Sequence, residues 1–338
     1  MPPPSHPTSS LITDFAGLQA AFAASHAASR EEMVPPLAIR RQRLDALETL
    51  LRENANALCA AVSADFGHRS SHETQLLEIF PSLEGIRHTR RHLAGWMKPQ
   101  RRPVSLWFQP ARAELRPQAL GCVGIISPWN YPVYLAIGPL TAALAAGNRA
   151  LVKMSEFTPS TAALFAELAA RYFPADELAV VGGDHELAQA FSHLPFDHLL
   201  FTGSTAVGRL VMKAAAENLT PVTLELGGKS PAIIASDYPV AKAAERIVAG
   251  KCLNAGQTCI APDYLFLPEG EVENFIAAAR KVVAASYPDL QQNPDYSSVI
   301  NARHAARLQG YLDDAAVQGA HIVPLVPLAE AKPSACQW

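Results

Sequence analysis

The sequence predicts an α/β protein built on a doubly wound, parallel β-sheet. From residue 121 onward, short runs rich in valine, isoleucine and leucine recur, and such continuous apolar runs are typical of strands buried on both faces. Longer stretches with a helical spacing of apolar residues lie between most of these runs, as in chains that alternate strands with crossover helices. The predicted strands are residues 122–126, 149–153, 178–181, 197–202, 222–226 and 263–267. The predicted helices among them include residues 133–146, 158–172 and 205–218.

Two predicted helices and an extended segment precede the sheet. Residues 37–62 place apolar side chains at mostly three- and four-residue steps with charged side chains between them, which predicts an amphipathic helix with one buried face. A second helical stretch runs from about His72 to Met97. Residues 98–118 hold four prolines and several arginines, so we expect an extended connection or an exposed hairpin there.

The composition limits the function classes. A length of 338 residues predicts about two domains at roughly 150 residues each, and we place the division between residues 1–226 and 227–338. Lysine and arginine number 28 against 31 aspartates and glutamates, and this net charge of −3 does not favour nucleic-acid binding. The five cysteines form no C-x-x-C pair, which favours free thiols in a reducing compartment over a metal site or disulfides.

The chain is expected to be cytoplasmic. Residues 117–148 carry no charge and are long enough to span a bilayer. Pro128, Pro132 and Pro139 interrupt this stretch, however, so a buried strand, a turn and a buried helix fit it better. The proline-rich N-terminus lacks the basic and apolar regions of a signal peptide.

Polar residues follow several of the predicted strands, where parallel sheets bind their ligands. Asn130 lies in the loop after strand 122–126, and its amide can either donate to a developing oxyanion or cap the next helix. Lys153 is the last residue of strand 149–153, and Glu156 lies in the loop after it. Their side chains can hold ribose hydroxyls, or the two residues can belong to an ordinary solvated loop. Gly203 and Ser204 precede helix 205–218, whose N-terminus can bind an anion or simply start a helix.

Two further residues suggest covalent chemistry. Glu225 interrupts a largely apolar strand, and a carboxylate in apolar surroundings has a raised pKa that suits a general base. A structural ion pair is the alternative for this residue. Cys259 lies in a loop with glycine and threonine, a setting that suits an exposed, activated thiolate better than an inert core position.

Common nucleotide and metal fingerprints do not explain these segments. The Rossmann G-x-G-x-x-G motif is absent, and no P-loop is complete. His88 and His92 have i,i+4 spacing, but no third ligand is evident, so a solvated helix face is expected rather than zinc.

Together the five segments resemble the aldehyde dehydrogenase superfamily, over about residues 30–325. The strongest signatures are LELGGKSP from Leu224 and GQTC from Gly256, which place Glu225 34 residues before Cys259. The longer runs TPVTLELGGKSP and GQTCIAPDY are similar to the class 3 branch, which includes the coniferyl-aldehyde dehydrogenases.

The resemblance implies a Rossmann-like dinucleotide-binding domain within residues 1–226 and an α/β catalytic domain from residue 227. It also implies oxidation of an aromatic aldehyde such as coniferyl aldehyde, or of a medium-chain aliphatic one, to the acid with NAD or NADP. Cys259 would be the nucleophile, Asn130 and the backbone N–H of Cys259 the oxyanion donors, and Glu225 the base that activates water. Glu156 favours NAD, because a carboxylate repels a 2′-phosphate. The implied cofactor contacts are Ile126, Trp129, Lys153, Glu156, Gly203, Ser204, Val207 and Leu226.

The sequence departs from the family pattern after Cys259. A Glu-(Ile/Val)-Phe-Gly-Pro motif that binds the nicotinamide ribose is expected there, yet only EIFP from Glu78 resembles it, without the glycine and in the other half of the chain. Residues 332–338 suggest no structural element. We therefore expect a C-terminally truncated catalytic domain that lacks the segment through which family members form homo-oligomers, and that is poorly soluble or weakly active. The alternatives are transfer of the acyl group to coenzyme A, which Glu225 disfavours, and a fragment that binds nucleotide or a partner without turnover.

Overall fold

A computed structural model describes residues 11–290 and 292–326, and within them the chain forms two compact units. The first unit comprises residues 11–58 and 77–225, and the second comprises residues 59–76 and 226–326. The division predicted from the sequence after Leu226 lies one residue from this boundary, but residues 59–76 fall in the second unit. The predicted irregular segment 332–338 lies outside the described residues.

The secondary structure alternates as the sequence patterns indicate. The helices are α1 Phe15–Glu31, α2 Leu37–Asp65, α3 Ser71–Thr74, α4 Phe80–Trp96, α5 Tyr134–Ala146, α6 Pro159–Tyr172, α7 His185–Ser192, α8 Thr205–Ala216, α9 Val240–Cys252, α10 Val272–Ser286 and α11 Ala302–Val317. The strands are β1 Gln100–Arg102, β2 Ala113–Leu115, β3 Cys122–Ile126, β4 Arg149–Lys153, β5 Leu178–Val181, β6 His198–Gly203, β7 Val222–Leu226, β8 Ser230–Ile233 and β9 Pro262–Phe266.

The first unit is built on a five-stranded sheet with the order β5-β4-β3-β6-β7. Strand β3 runs parallel to β4 and to β6, and β4 runs parallel to β5. The chain moves from β3 outward through β4 to β5, and then returns to the other side of β3 through β6 to β7. The connections therefore diverge between β3 and β6, which is the position where doubly wound sheets bind ligands.

The uncharged stretch 117–148 forms a buried strand, a turn and a helix, as predicted. Strand β3 is mostly buried, and most of helix α5 is buried as well. No helix among the described residues combines the length and apolar character needed to cross a membrane. Residues 98–118 contain the hairpin of antiparallel strands β1 and β2, with a 3-10 turn at Leu106–Phe108.

Two features of the helices differ from the sequence prediction. The predicted single helix from His72 to Met97 is divided into α3, a π-helical segment Gln75–Ile79, and α4, which has a proline in its first turn. Helix α1 was not predicted, because its alanine- and serine-rich sequence buries only Leu18, Ser25 and Ser29 and so carries a weak apolar period.

The second unit contains a two-stranded parallel sheet of β8 and β9, with helices α9, α10 and α11. Helices α9 and α10 bury a small apolar cluster that includes Val248, Ala279 and Val283. The segment between α9 and β9 carries Cys259.

Candidate active site

The candidate cofactor residues of the first unit lie at the carboxyl edge of its sheet. Strands β3 and β4 end side by side, since Ile126 pairs with Lys153 and the Ser127 N–H donates to the Lys153 carbonyl at 2.9 Å. Ile126 also pairs with Phe201, two residues before Gly203. The loops after β3, β4 and β6 therefore start next to each other, on both sides of the point where the connections diverge.

The loop that carries Asn130 is held by a buried carboxylate. The side chain of Glu78 is fully buried, and its Oε2 accepts hydrogen bonds from the Val133 N–H at 2.7 Å and the Tyr134 N–H at 3.0 Å. These N–H groups belong to the first turn of α5, which lacks partners within the helix. Glu78 thus caps the start of α5. Asn130 itself is half-buried in the preceding loop.

Lys153 lies at the end of β4 and is buried, with 1% of its surface exposed. Its Nζ donates to the Met154 carbonyl at 2.8 Å and to the Gly183 carbonyl at 3.2 Å. Burial lowers the pKa of the ammonium, while the carboxylates of Glu156 and Asp184 oppose this change. A solvated loop is therefore the wrong description for Lys153, although Glu156 is exposed.

The turn at Gly203 and Ser204 leads directly into α8. The Ser204 Oγ accepts a hydrogen bond from the Val207 N–H at 3.3 Å, so the serine caps this helix. Ser204 and Val207 are both exposed. The first turn of α8 consequently presents its positive end to solvent, which is compatible with an anionic ligand.

Glu225 is exposed, contrary to the apolar surroundings predicted for its carboxylate. It lies on β7, which is the last strand of the five-stranded sheet and has a neighbour on one side only. An apolar sequence context therefore does not bury this side chain. The other implied apolar contacts, Ile126, Trp129 and Leu226, are half-buried.

In the second unit, Cys259 is exposed, as predicted. It follows a turn in which three consecutive residues are left-handed, namely Asn254 (φ 52°), Ala255 (φ 51°) and Gly256 (φ 75°). Glycine adopts this region freely and asparagine does so occasionally, whereas an ordinary residue such as Ala255 costs roughly 1–2 kcal/mol there. The backbone before the thiol is therefore strained and needs support from its surroundings.

That support comes from side chains that the sequence analysis did not identify. The Glu73 Oε1 accepts a hydrogen bond from the Asn254 N–H at 3.0 Å, and its Oε2 accepts one from the Ser297 Oγ at 2.5 Å. The Gln257 Nε2 donates to the Asn254 carbonyl and to the Ser298 carbonyl, each at 3.0 Å. No local pattern could have revealed Glu73 as a partner of the turn, because it lies 181 residues from Asn254.

A glycine packs against the backbone of Cys259. A Cβ atom on Gly228 would lie 3.0 Å from the Cys259 carbonyl oxygen, which is closer than ordinary contact. The glycine pair at 227 and 228 therefore allows the two chain segments to approach each other closely. This glycine follows Glu225 by three residues.

Among the residues that the structure describes, no group of three or more histidine, cysteine or acidic side chains is arranged to hold a metal ion. The rings of His88 and His92 instead lie against one another on α4, with centroids 4.2 Å apart.

Comparison with known proteins assigns the family. The profile of the "Aldehyde dehydrogenase family" matches residues 13–331. A "Probable coniferyl aldehyde dehydrogenase" of Pseudomonas aeruginosa is 56% identical over 308 residues, which cover 91% of this chain and 65% of that protein. A "Coniferyl aldehyde dehydrogenase" of Pseudomonas sp. is 51% identical over 87% of this chain and 61% of its own length. This chain thus spans less than two thirds of the length of these relatives.

Solved structures agree with this assignment. A Staphylococcus aureus AldH in a substrate-bound state superimposes with a TM-score of 0.84 at 36% identity, over 89% of this chain and 66% of that one. A Mycobacterium tuberculosis aldehyde dehydrogenase complexed with NAD⁺ superimposes with a TM-score of 0.82 at 31% identity, over 91% of this chain and 64% of that one.

Proposed function

The chain belongs to the aldehyde dehydrogenase family, and from this membership we propose that it oxidises an aldehyde to the carboxylic acid with NAD, or NADP, as the hydride acceptor. An aromatic aldehyde such as coniferyl aldehyde is the proposed substrate, because two similar Pseudomonas proteins are named as dehydrogenases of coniferyl aldehyde. A medium-chain aliphatic aldehyde is the second candidate. The observation that carries the proposal is an exposed thiol, Cys259, on a loop with a constrained backbone.

In the proposed reaction, the Cys259 thiolate attacks the aldehyde carbon, forms a C–S bond and moves an electron pair onto the carbonyl oxygen. The Asn130 amide and the backbone N–H of Cys259 donate hydrogen bonds to that oxyanion. Loss of hydride from the same carbon leaves a thioester on Cys259. Glu225 then takes a proton from water as the water attacks the thioester carbon, so that the C–S bond breaks, the acid is released and the Cys259 thiolate is restored.

The residues assigned to the dinucleotide fit its chemistry. Glu156 offers an exposed carboxylate to a ribose diol, beside the buried ammonium of Lys153. The N-terminus of α8 at Ser204 offers a positive dipole end to a pyrophosphate. The chemistry supplied by the bound dinucleotide is acceptance of the hydride.

The second candidate function is binding of the nucleotide, or of a partner, without turnover. One observation favours it, since the carboxylate of Glu225 is exposed to solvent and does not have the apolar surroundings that would suit a general base.

The test measures NADH formation from coniferyl aldehyde, benzaldehyde and hexanal. We expect Cys259→Ala to lower the rate by about 10³-fold or more, because the covalent step is lost. Cys252→Ala is the matched control, since this half-buried thiol lies seven residues earlier on α9, and it should keep the wild-type rate. Equal rates in wild type and Cys259→Ala would contradict the nucleophile assignment. Thermal stabilisation by NAD in a wild-type chain without turnover would favour the second function.

A further inference from the structure

The second unit buries a carboxylate for which the reaction described above has no use. Glu73, in α3, has 6% of its surface exposed. Burying a charged carboxylate is costly unless hydrogen bonds compensate it. Both of its oxygens accept such bonds, Oε1 from the Asn254 N–H at 3.0 Å and Oε2 from the Ser297 Oγ at 2.5 Å. The side chain therefore joins three segments that are far apart in sequence.

One of these segments is the turn that precedes the nucleophile. Asn254 is fully buried and is the first of the three left-handed residues. Strained residues of this kind persist only where the surrounding structure imposes their conformation. Glu73 holds the N–H at the start of the turn, and Gln257 binds the Asn254 carbonyl from the end of the turn. Cys259 lies two residues beyond Gln257.

We propose that Glu73 is a positioning residue for Cys259, which acts by holding the Asn254–Gly256 turn in its left-handed conformation. The inference rests on the proposed role of Cys259 as nucleophile. Without the carboxylate, the buried Asn254 N–H loses its acceptor and the turn relaxes toward right-handed conformations. The thiol then shifts relative to the reacting carbon, which slows the chemical step more than it weakens substrate binding.

The experiment compares variants of the full chain by two independent measurements. Steady-state kinetics with coniferyl aldehyde separates kcat from KM. Amide hydrogen exchange, followed on a peptide that covers residues 253–260, reports the turn without requiring catalysis, and a peptide from α10 in the same unit reports general loosening.

Glu73→Ala is expected to lower kcat by about tenfold or more with KM changed less than about twofold. Exchange in residues 253–260 should become about tenfold faster while exchange in α10 stays unchanged. Glu73→Gln should keep both properties within about threefold of wild type, because the amide can still accept from Asn254 and donate to Ser297. Asp295→Asn is the control, since Asp295 accepts a hydrogen bond from Ser70 and so connects neighbouring segments without touching the turn.

A second pair of variants tests the backbone argument. Ala255→Gly removes strain from the turn, because glycine adopts a positive φ freely. The double variant Glu73→Ala/Ala255→Gly should therefore have a kcat at least about threefold higher than that of Glu73→Ala alone. A general loss of stability in Glu73→Ala would not explain such a recovery. If Glu73→Ala does not fold, Ser297→Ala serves in its place, since it removes one of the two hydrogen bonds and should speed exchange in the turn about threefold.

Unchanged exchange in Glu73→Ala, or in Ser297→Ala where the former is unfolded, would overturn the inference whatever the activity. Equal loss of kcat in Glu73→Gln and Glu73→Ala would also overturn it. A wild-type chain without turnover would overturn the proposed function instead, and faster exchange in Glu73→Ala that Glu73→Gln reverses would still support the positioning role.

Discussion

Among single residues, Lys153 shows most clearly how an ionisable group of this site depends on its surroundings. The ammonium is buried and is satisfied by the Met154 and Gly183 carbonyls, and burial lowers its pKa from 10.5. The folded state therefore releases this proton at a lower pH than the unfolded chain does. The resulting penalty on the folded state is complete below the lowered pKa and disappears as the pH rises toward 10.5.

We expect the free energy of unfolding of the wild type to rise relative to that of Lys153→Met as the pH approaches 10.5. Urea unfolding over a pH series measures this difference. Lys213→Met changes an exposed lysine on α8. Its free energy of unfolding should change with pH in parallel with that of the wild type. Parallel curves for wild type and Lys153→Met would show that the buried ammonium is not linked to stability.

Gly228 sets a second constraint at the residue scale, because it leaves room for the Cys259 carbonyl. Gly228→Ala should lower kcat of the proposed aldehyde oxidation by about tenfold, since an added methyl group must displace the backbone of Cys259, the proposed nucleophile. Gly227→Ala is the matched control, because a Cβ atom there meets no atom within 4 Å. Equal effects of the two substitutions would point to the flexibility of the glycine pair rather than to the close approach.

At the scale of elements, helix α5 begins at a carboxylate supplied by a distant segment. Glu78 lies in the π-helical segment Gln75–Ile79 and caps the N–H groups of Val133 and Tyr134. Widened turns of this kind are frequent at functional sites. The Glu78 carboxylate binds the start of α5, which comes directly after the loop that carries Asn130. The π-helical segment that interrupts the predicted long helix therefore supports the loop of a candidate site residue.

Glu78→Ala is expected to lower the free energy of unfolding by about 1–3 kcal/mol, because it leaves buried N–H groups without their acceptor. Glu78→Gln should lose less, since its amide oxygen can still accept. Glu84→Gln, two turns later and in an exposed ion pair with Arg87, should stay within about 0.5 kcal/mol of wild type. Chemical denaturation measures all three, and equal losses for Ala and Gln would argue against the capping role.

At the scale of the whole chain, the segment between β1 and β2 exposes apolar side chains to solvent. Leu106, Trp107 and Phe108 are 82%, 91% and 69% exposed. Exposed apolar side chains that lie next to one another favour association.

The double variant Trp107→Ser/Phe108→Ser should therefore associate less with rising concentration, as measured by sedimentation velocity. Its stability should stay within about 0.5 kcal/mol of wild type, because neither side chain is buried. Val317→Ser is the control, since Val317 is a single exposed side chain at the end of α11. Unchanged association in the double variant would place the driving surface elsewhere.

The sequence alone determined the family, the Cys259 loop and most of the central strands. Strands β3, β4, β5 and β7 have the bounds that their apolar runs predict, because burial on both faces leaves a local signal in the sequence. The exposure of Cys259 followed from its loop.

Only the tertiary structure decided which groups support that loop and how the polar residues are buried. Glu73 meets Asn254 across 181 residues, and Glu78 meets Val133 across 55. Lys153 proved buried, and Glu225 proved exposed on an edge strand. Local periodicity reports the environment of neighbouring residues, whereas the partner of a buried charge depends on which distant segments the packing brings within hydrogen-bond distance.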